Sequence, residues 1–183
     1  MAFAAWKTSP SFILDFLPRK SWKMTDHRKT VVNLLIPHFR RDERYYLLVG
    51  DMGFGAIDRL RDEFPDRVIN VGIMEQGATG IAAGMSMSGL IPIFYTIVNF
   101  LVFRALEQVR NDVVLQHLNV KFIATGVENY FQFLGPSHCC GRDDIKIMEL
   151  IGMKVYDPYA GNVHFPDLVT AWITSQRPGY LRV

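Results

Sequence analysis

The segment 68–84 reads VINVGIMEQGATGIAAG, and Glu75 stands in it where an apolar run ends and a run of small residues begins. The apolar run predicts a buried β-strand, and the Gly/Ala-rich run after it predicts a helix. A carboxylate in the first turn of a helix interacts favourably with the helix dipole, which would by itself account for Glu75. Glycine weakens a helix by up to about 1 kcal/mol per residue, so we expect another surface to approach this helix closely.

Short apolar runs and helical patterns alternate along the rest of the chain, beginning with an amphipathic helix in residues 27–45, HRKTVVNLLIPHFRRDERY. This alternation predicts a doubly wound α/β fold, a six-stranded parallel sheet with helices on both faces. Ligands bind at the carboxyl ends of the strands in such sheets, and Glu75 follows one of these ends. The predicted strands are Tyr45–Gly50, Val68–Ile73, Ile91–Ile97, Val120–Gly126, Met153–Tyr156 and Tyr180–Val183.

The composition favours a single soluble domain over residues 24–183, preceded by an N-terminal arm or extension of residues 1–23. The formal charge is +2, from 20 basic and 18 acidic residues, which leaves no basic stripe for nucleic acid. No apolar run approaches the roughly 20 residues of a membrane span. The only cysteines, Cys139 and Cys140, are neighbours, which suits neither an ordinary disulfide nor a zinc site. We therefore expect a cytoplasmic protein that binds neither nucleic acid nor membranes.

The residues after the third predicted strand, VNFLVFRALEQVRNDVV at positions 98–114, predict a helix with an aromatic face. Phe100 and Phe103 lie three positions apart on this face, and an ordinary core helix would explain most of the pattern. A flat aromatic heterocycle would need a similar wall, with a buried carboxyl group at its edge to share a proton with a ring nitrogen. Glu75 is the candidate for that carboxyl group.

Residues 67–113, RVINVGIMEQGATGIAAGMSMSGLIPIFYTIVNFLVFRALEQVRNDV, resemble the pyrimidine-binding domain of transketolase-type thiamine diphosphate enzymes. The similar region extends from about Leu48 to about Pro158. Its order of features, an EQ glutamate, a Gly/Ala helix, a G-x-IP turn and an aromatic helix, is more specific than a lone glycine motif. The resemblance implies the thiamine diphosphate-binding fold, with thiamine diphosphate and Mg²⁺ as cofactors.

The resemblance also implies which residues contact the coenzyme. In that family a glutamate at the position of Glu75 holds N1′ of the aminopyrimidine and so promotes deprotonation of thiazolium C2. Aromatic residues at the positions of Phe100 and Phe103 hold the aminopyrimidine, and Ile97 replaces a further aromatic residue one turn earlier. Asp51, in VGDMG, falls near a family acidic residue close to the cofactor, although a turn aspartate explains it about equally well.

A substrate contact is implied for His138, because LGPSH at residues 134–138 resembles the family's DGPTH, whose histidine contacts the sugar. Leu134 replaces the aspartate that often recognises the hydroxyl of the donor, so the donor stays open. An exposed loop histidine is the alternative explanation. The irregular segment 126–142 that contains this stretch is long enough to suggest a functional loop.

The sequence lacks the motif with which the family binds the pyrophosphate half of the cofactor. The family binds Mg²⁺ and pyrophosphate with GDG followed by an asparagine, and GDM at residues 50–52 is the nearest match, on a different strand of the resemblance. We therefore expect a separate pyrophosphate-binding subunit to hold Mg²⁺, in an α2β2 hetero-oligomer. The Gly/Ala helix and the helix bearing Phe100 are the expected contacts, and activity would need both chains.

Three functions remain open from the sequence. The first is a split transketolase-like enzyme that transfers a two-carbon ketol unit between sugars or sugar phosphates, favoured by INVGI, EQVRNDV, LNVKFIATG and GPSH. The second is a β-type subunit of a 2-oxoacid dehydrogenase or decarboxylase. The third is a non-catalytic scaffold subunit, which Glu75 argues against and which Ile97 and Leu134 leave possible.

Overall fold

The computed structural model describes residues 25–183, so the predicted arm of residues 1–23 lies outside the described part of the chain. Six parallel strands form one sheet, and helices pack on both of its faces, as the sequence predicts. The strands are β1 (Tyr45–Val49), β2 (Val68–Asn70), β3 (Ile91–Ile97), β4 (Lys121–Thr125), β5 (Lys154–Tyr156) and β6 (Gly179–Arg182). The α-helices are α1 (Arg28–Arg41), α2 (Asp58–Glu63), α3 (Glu75–Met87), α4 (Leu106–Gln108), α5 (Asp143–Leu150) and α6 (Phe165–Thr174).

Each face of the sheet has its own hydrophobic core. One core joins the sheet to α1, α2 and α6, and Leu35 and Trp172 are buried in it. The other joins the sheet to α3, α5 and the segment around α4, with Ala82 and Met148 in it. Side chains alternate across a strand, so β3 contributes to both cores.

The strand β3 begins and ends where the sequence predicts, although it is a central strand that contains Pro92. Proline cannot donate a hydrogen bond within a sheet and is usually confined to edges. The amide of Ile91 donates to the Arg44 carbonyl on the β1 side. The Pro92 nitrogen therefore faces β4, which pairs with β3 only from Ile93 onward. No ladder hydrogen bond is lost at this position.

The predicted aromatic helix is irregular. A π-helical turn, Phe100–Arg104, and a second one, Val109–Val114, flank the short helix α4. Turns of this kind are rare inside helices and are frequent at functional sites. We refer to this whole stretch, residues 100–114, as the π segment.

The carboxyl ends of β1 and β3 form the switch point of the sheet. The chain leaves β1 on one side to make β2 and then crosses back to make β3 on the other side of β1. Crossovers that diverge in this way open a crevice at the strand ends, where ligands bind in doubly wound sheets. The helix α3, which connects β2 to β3, begins at this edge with Glu75. Within residues 25–183, no helix is both long and apolar enough to cross a membrane.

Candidate functional site

Glu75 is buried at the carboxyl ends of the strands, with 1% of its surface exposed. It is the first residue of α3, and its carbonyl oxygen accepts a hydrogen bond of 2.8 Å from the Thr79 hydroxyl one turn later. Its carboxylate oxygen Oε2 accepts a hydrogen bond of 2.6 Å from Arg104 Nη1. The other oxygen, Oε1, lies 3.5 Å from the Thr96 hydroxyl, which is too far for a strong hydrogen bond. One oxygen of the carboxylate is thus held and the other is nearly free.

A line of contacts joins Glu75 to His138. The guanidinium carbon of Arg104 lies 4.2 Å from the centre of the Phe100 ring. The Phe100 ring in turn lies 5.0 Å from the His138 ring, at 65° to it. The structure therefore brings three of the predicted site residues together through Arg104. Arg104 lies four positions after Phe100 in the aromatic helix, within the segment that resembles the family, but nothing in the sequence assigned a role to it.

Ile97 and Asp51 line a neighbouring hollow of about 350 Å³ at the ends of β3 and β1. Asp51 has a positive φ of 51°, and its carboxylate accepts a hydrogen bond of 2.9 Å from the Asn70 side chain. Those contacts are typical of a turn aspartate. The buried Tyr95 also lines the hollow, and its hydroxyl lies near the Thr125 side chain without forming a hydrogen bond of regular geometry within residues 25–183. Burial raises the pKa of Tyr95, so the phenol remains a donor.

Phe103 faces a different surface from Phe100, although both belong to the same π turn. Its side chain is 57% exposed and lines a groove of about 470 Å³ together with Gln76 and Arg110. The line of contacts from Glu75 to His138 does not include Phe103. Its role in holding an aminopyrimidine stays a prediction, as do the roles of the other site residues.

The segment 126–142, which carries His138, is held at its beginning by close packing. Gly126 has a φ of +84°, and a Cβ atom there would lie 2.2 Å from the Phe131 ring. Only glycine can adopt this conformation and admit the ring. The side chain of Asn129, which also has a positive φ, accepts a hydrogen bond of 2.7 Å from the Gly141 amide across the loop. The side chain of Asn99 donates to the Ser137 carbonyl, which ties the loop to the end of β3.

A buried ionic cluster at the ends of β4, β5 and β6 anchors the same loop. Arg182 is completely buried and binds Asp144 through two hydrogen bonds, of 2.7 and 3.2 Å. It also donates to Asp157, at 2.9 Å, and to Glu128, at 3.1 Å. Arg142 bridges Glu128 and Asp157 from outside, at 2.7 and 2.8 Å. Since Glu128 and Arg142 lie near the two ends of the loop, this ionic cluster holds both ends.

The surroundings of Glu75 fit an aminopyrimidine ring. Oε1 is free to share a proton with a ring nitrogen, Phe100 offers an aromatic ring on the far side of Arg104, and the adjacent hollow combines apolar Ile97 with the buried Tyr95 hydroxyl. In the described part of the chain, no cluster of three or more His, Cys, Asp or Glu side chains could hold a metal ion. Cys139 and Cys140 are free thiols, and burial raises the pKa of Cys140 to about 12.

Residues 23–183 match the family model described as "Transketolase, pyrimidine binding domain". The chain is 33% identical over 140 residues to the 6-deoxy-6-sulfo-D-fructose transketolase subunit SqwH of Clostridium sp. (strain MSTE9), covering 74% of this chain and 43% of that protein. It is 37% identical over 101 residues to a subunit of the apulose-4-phosphate transketolase of Actinobacillus succinogenes, covering 55% of this chain and 32% of that protein.

A solved structure described as "Split gene transketolase, inactive beta4 tetramer" superimposes with a TM-score of 0.72 at 30% identity. The match covers 85% of this chain and 50% of that one. The chain therefore spans between a third and a half of the length of these proteins.

Proposed function

Because the chain belongs to the transketolase family through its pyrimidine-binding domain, we propose that it forms the pyrimidine half of a thiamine diphosphate site completed by a separate subunit. The assembled enzyme transfers a two-carbon ketol unit between sugars or sugar phosphates. The observation that carries this proposal is the position of Glu75, buried at the switch point of the sheet with one carboxylate oxygen nearly free.

The residues of this chain would bind and orient the pyrimidine end of the cofactor. Glu75 Oε1 would share a proton with N1′, and Phe100 and Phe103 would provide aromatic surface. Ile97 and Asp51 border the same edge of the sheet from the neighbouring hollow. Thiamine diphosphate supplies the nucleophilic carbon that ketol transfer requires, and the protein contributes the orientation and the proton transfer.

Sugar chemistry is supported by the position of His138. Its ring packs against Phe100, and the buried ionic cluster fixes the loop that carries it. An imidazole held in this way can hydrogen-bond to a hydroxyl group of a sugar near the cofactor. Leu134 is 51% exposed on the same loop and offers no polar group to the donor. The donor is accordingly recognised by other residues or by the partner subunit.

The partner is a pyrophosphate-binding subunit that supplies Mg²⁺, and the outer face of α3 is its docking surface. This face exposes Ile81 and Met87, at 46% and 69%, and carries no charged side chain. A Cβ atom at Gly80 or Gly84 would meet nothing within 4 Å, so packing within residues 25–183 does not require these glycines. On an exposed apolar face, glycines leave the backbone uncovered, so another protein can pack closely against it.

The two relatives named above are both described as subunits, which supports a two-chain enzyme. An α2β2 assembly follows if the contact is repeated about a two-fold axis, as in most closed oligomers. The free thiols Cys139 and Cys140 support a reducing, cytoplasmic location.

Gly80→Leu should separate the stability of this chain from its assembly. The added side chain enters open space and removes a helix glycine, so the free energy of unfolding of the isolated chain should rise by about 0.5–1 kcal/mol. The same side chain would hold the partner subunit away from α3. Size-exclusion chromatography with light scattering should show loss of the mixed complex.

Ala171→Leu is the matched control, because Ala171 is an exposed helix residue on α6, on the opposite face of the sheet. It should leave assembly unchanged. Normal assembly of the Gly80→Leu chain would mean that the partner binds elsewhere.

The proposed reaction is tested by combining this chain with a pyrophosphate-binding subunit, thiamine diphosphate and Mg²⁺. Ketol transfer should be detected on a panel of free sugars and sugar phosphates. His138→Ala should lower kcat/KM for the sugar by about tenfold to hundredfold, the scale of a lost hydrogen bond of 1–3 kcal/mol. Exchange of the C2 proton of the cofactor should stay near the wild-type rate, because His138 meets the substrate and not N1′.

His38→Ala is the control and should leave kcat/KM unchanged. His38 lies in the last turn of α1, which leads into the amino ends of the strands, whereas the site lies at their carboxyl ends. Decarboxylation of a small 2-oxoacid without any ketol transfer would contradict this proposal. It would identify the chain instead as a β-type subunit of a 2-oxoacid dehydrogenase or decarboxylase. A complex that assembles but catalyses neither reaction would identify a scaffold subunit.

A further inference from the structure

Arg104 contacts two of the predicted cofactor residues at once. It ends the first π turn, donates a hydrogen bond of 2.6 Å to Glu75 Oε2, and lies over the Phe100 ring with its guanidinium carbon 4.2 Å from the ring centre. The Arg104 side chain is 42% exposed, whereas the Glu75 side chain is 1% exposed. The arginine therefore reaches from the surface into the site.

The buried carboxylate needs this cation. An ionised carboxylate removed from water without a partner is strongly unfavourable, and within residues 25–183 Arg104 is the one cation in an ion pair with Glu75. Arginine suits the position, because its planar guanidinium remains charged and can stack on an aromatic ring while it donates hydrogen bonds. Stacking on Phe100 in turn limits the directions from which Arg104 can approach Glu75.

The two oxygens of Glu75 are made unequal by this contact. Oε2 is held by a short, charge-assisted hydrogen bond, while Oε1 has only the Thr96 hydroxyl at 3.5 Å. We infer that Arg104 is a positioning residue that fixes Glu75 through Oε2 and presents Oε1 to the ring nitrogen of the cofactor. This inference rests on the proposed function, since it assigns the free oxygen to N1′.

Arg104→Met and Arg104→Lys test the inference in the complex with the partner subunit. Titration calorimetry with thiamine diphosphate and Mg²⁺ should show that Arg104→Met weakens cofactor binding by about tenfold to hundredfold, as for loss of a charge-assisted hydrogen bond. Arg104→Lys keeps the charge and should restore part of the affinity. Arg41→Met removes an exposed arginine from the last turn of α1, on the opposite face of the sheet from α3, and should have no effect.

The free chain provides a second measurement that needs no cofactor. Arg104→Met should lower its free energy of unfolding, and by much less when Glu75→Gln is also present, because a neutral amide does not need the cation. This non-additivity is the signature of a direct pair. Equal losses in both backgrounds would show that Arg104 acts only through packing and would overturn the inference.

Tighter cofactor binding by Arg104→Met would also overturn it, and would show instead that the guanidinium competes with the aminopyrimidine for Glu75 and Phe100. Unchanged cofactor binding by Arg104→Met would overturn the inference as well. Failure of the proposed function looks different, because Glu75→Gln would then leave C2 proton exchange unaffected as well. If Glu75→Gln stops the exchange while Arg104→Met is neutral, only the inference about Arg104 fails.

Discussion

Glu75→Gln is expected to slow C2 proton exchange and ketol transfer of the assembled enzyme by about two to four orders of magnitude, the scale of losing a general acid–base group. Glutamine keeps the shape of the side chain, and its amide oxygen can still accept the hydrogen bond from Arg104. It cannot exchange a proton with N1′. Proton exchange at C2, followed by NMR in deuterated water, measures the affected step directly.

Glu149→Gln is the matched control, because it makes the same chemical change at an exposed position of α5 that forms no ion pair within residues 25–183. It should leave the exchange rate unchanged. A normal exchange rate in Glu75→Gln, with the cofactor bound, would remove Glu75 from the mechanism. Thermal unfolding of the variant should remain close to that of the wild type, since no buried group loses its partner.

The positions of the strands could be predicted well from local pattern. The sequence IPIFYTI is apolar on both faces and is followed at once by helical periodicity, so both ends of β3 were predicted correctly. Several other predicted strands were too long at their carboxyl ends. Val68–Ile73 ends at Asn70, because Gly72 turns the chain with a φ of +74°. Strand ends depend on where the neighbouring strand stops, which the local pattern does not show.

The neighbourhood of Glu75 was predictable only in part. Its place at the start of a helix and its burial follow from the junction of the apolar and small residues. The ion pair with Arg104 does not, because it joins positions 29 residues apart and depends on the geometry of a π turn. Helical periodicity likewise placed Phe100 and Phe103 on one stripe, whereas in the structure they line different surfaces.

The ionic cluster around Arg182 is the feature that sequence patterns predicted least. Arg182 lies in a strand, GYLR, where four consecutive residues are buried, so the pattern alone would suggest an apolar side chain. Its partners come from three other segments of the chain, each brought to it by the fold. Burial and the neighbouring Asp144 raise the pKa of Tyr180 far above its usual range, so the phenol donates to that carboxylate.

Asp144→Ala is expected to lower the free energy of unfolding of the chain by about 3–5 kcal/mol, because it leaves the buried Arg182 and the Tyr180 hydroxyl without their main acceptor. For a domain of this size the loss corresponds to a fall in Tm of roughly 6–20 °C. Asp143→Ala is the control, since Asp143 is 66% exposed and its nearest cation is Lys146 at 3.4 Å. Both substitutions remove an acidic residue from the first turn of α5, so any effect on the helix dipole cancels between them.

The same substitution should also loosen the loop that carries His138. Glu128 and Arg142 hold the two ends of the loop through Arg182 and Asp157, and Asp144 neutralises part of the charge at their centre. Hydrogen exchange of the Gly141 amide, which bonds across the loop to Asn129, should therefore quicken more than that of the β4 amides. Equal quickening at both places would show that the cluster stabilises the domain as a whole and has no separate role in holding the loop.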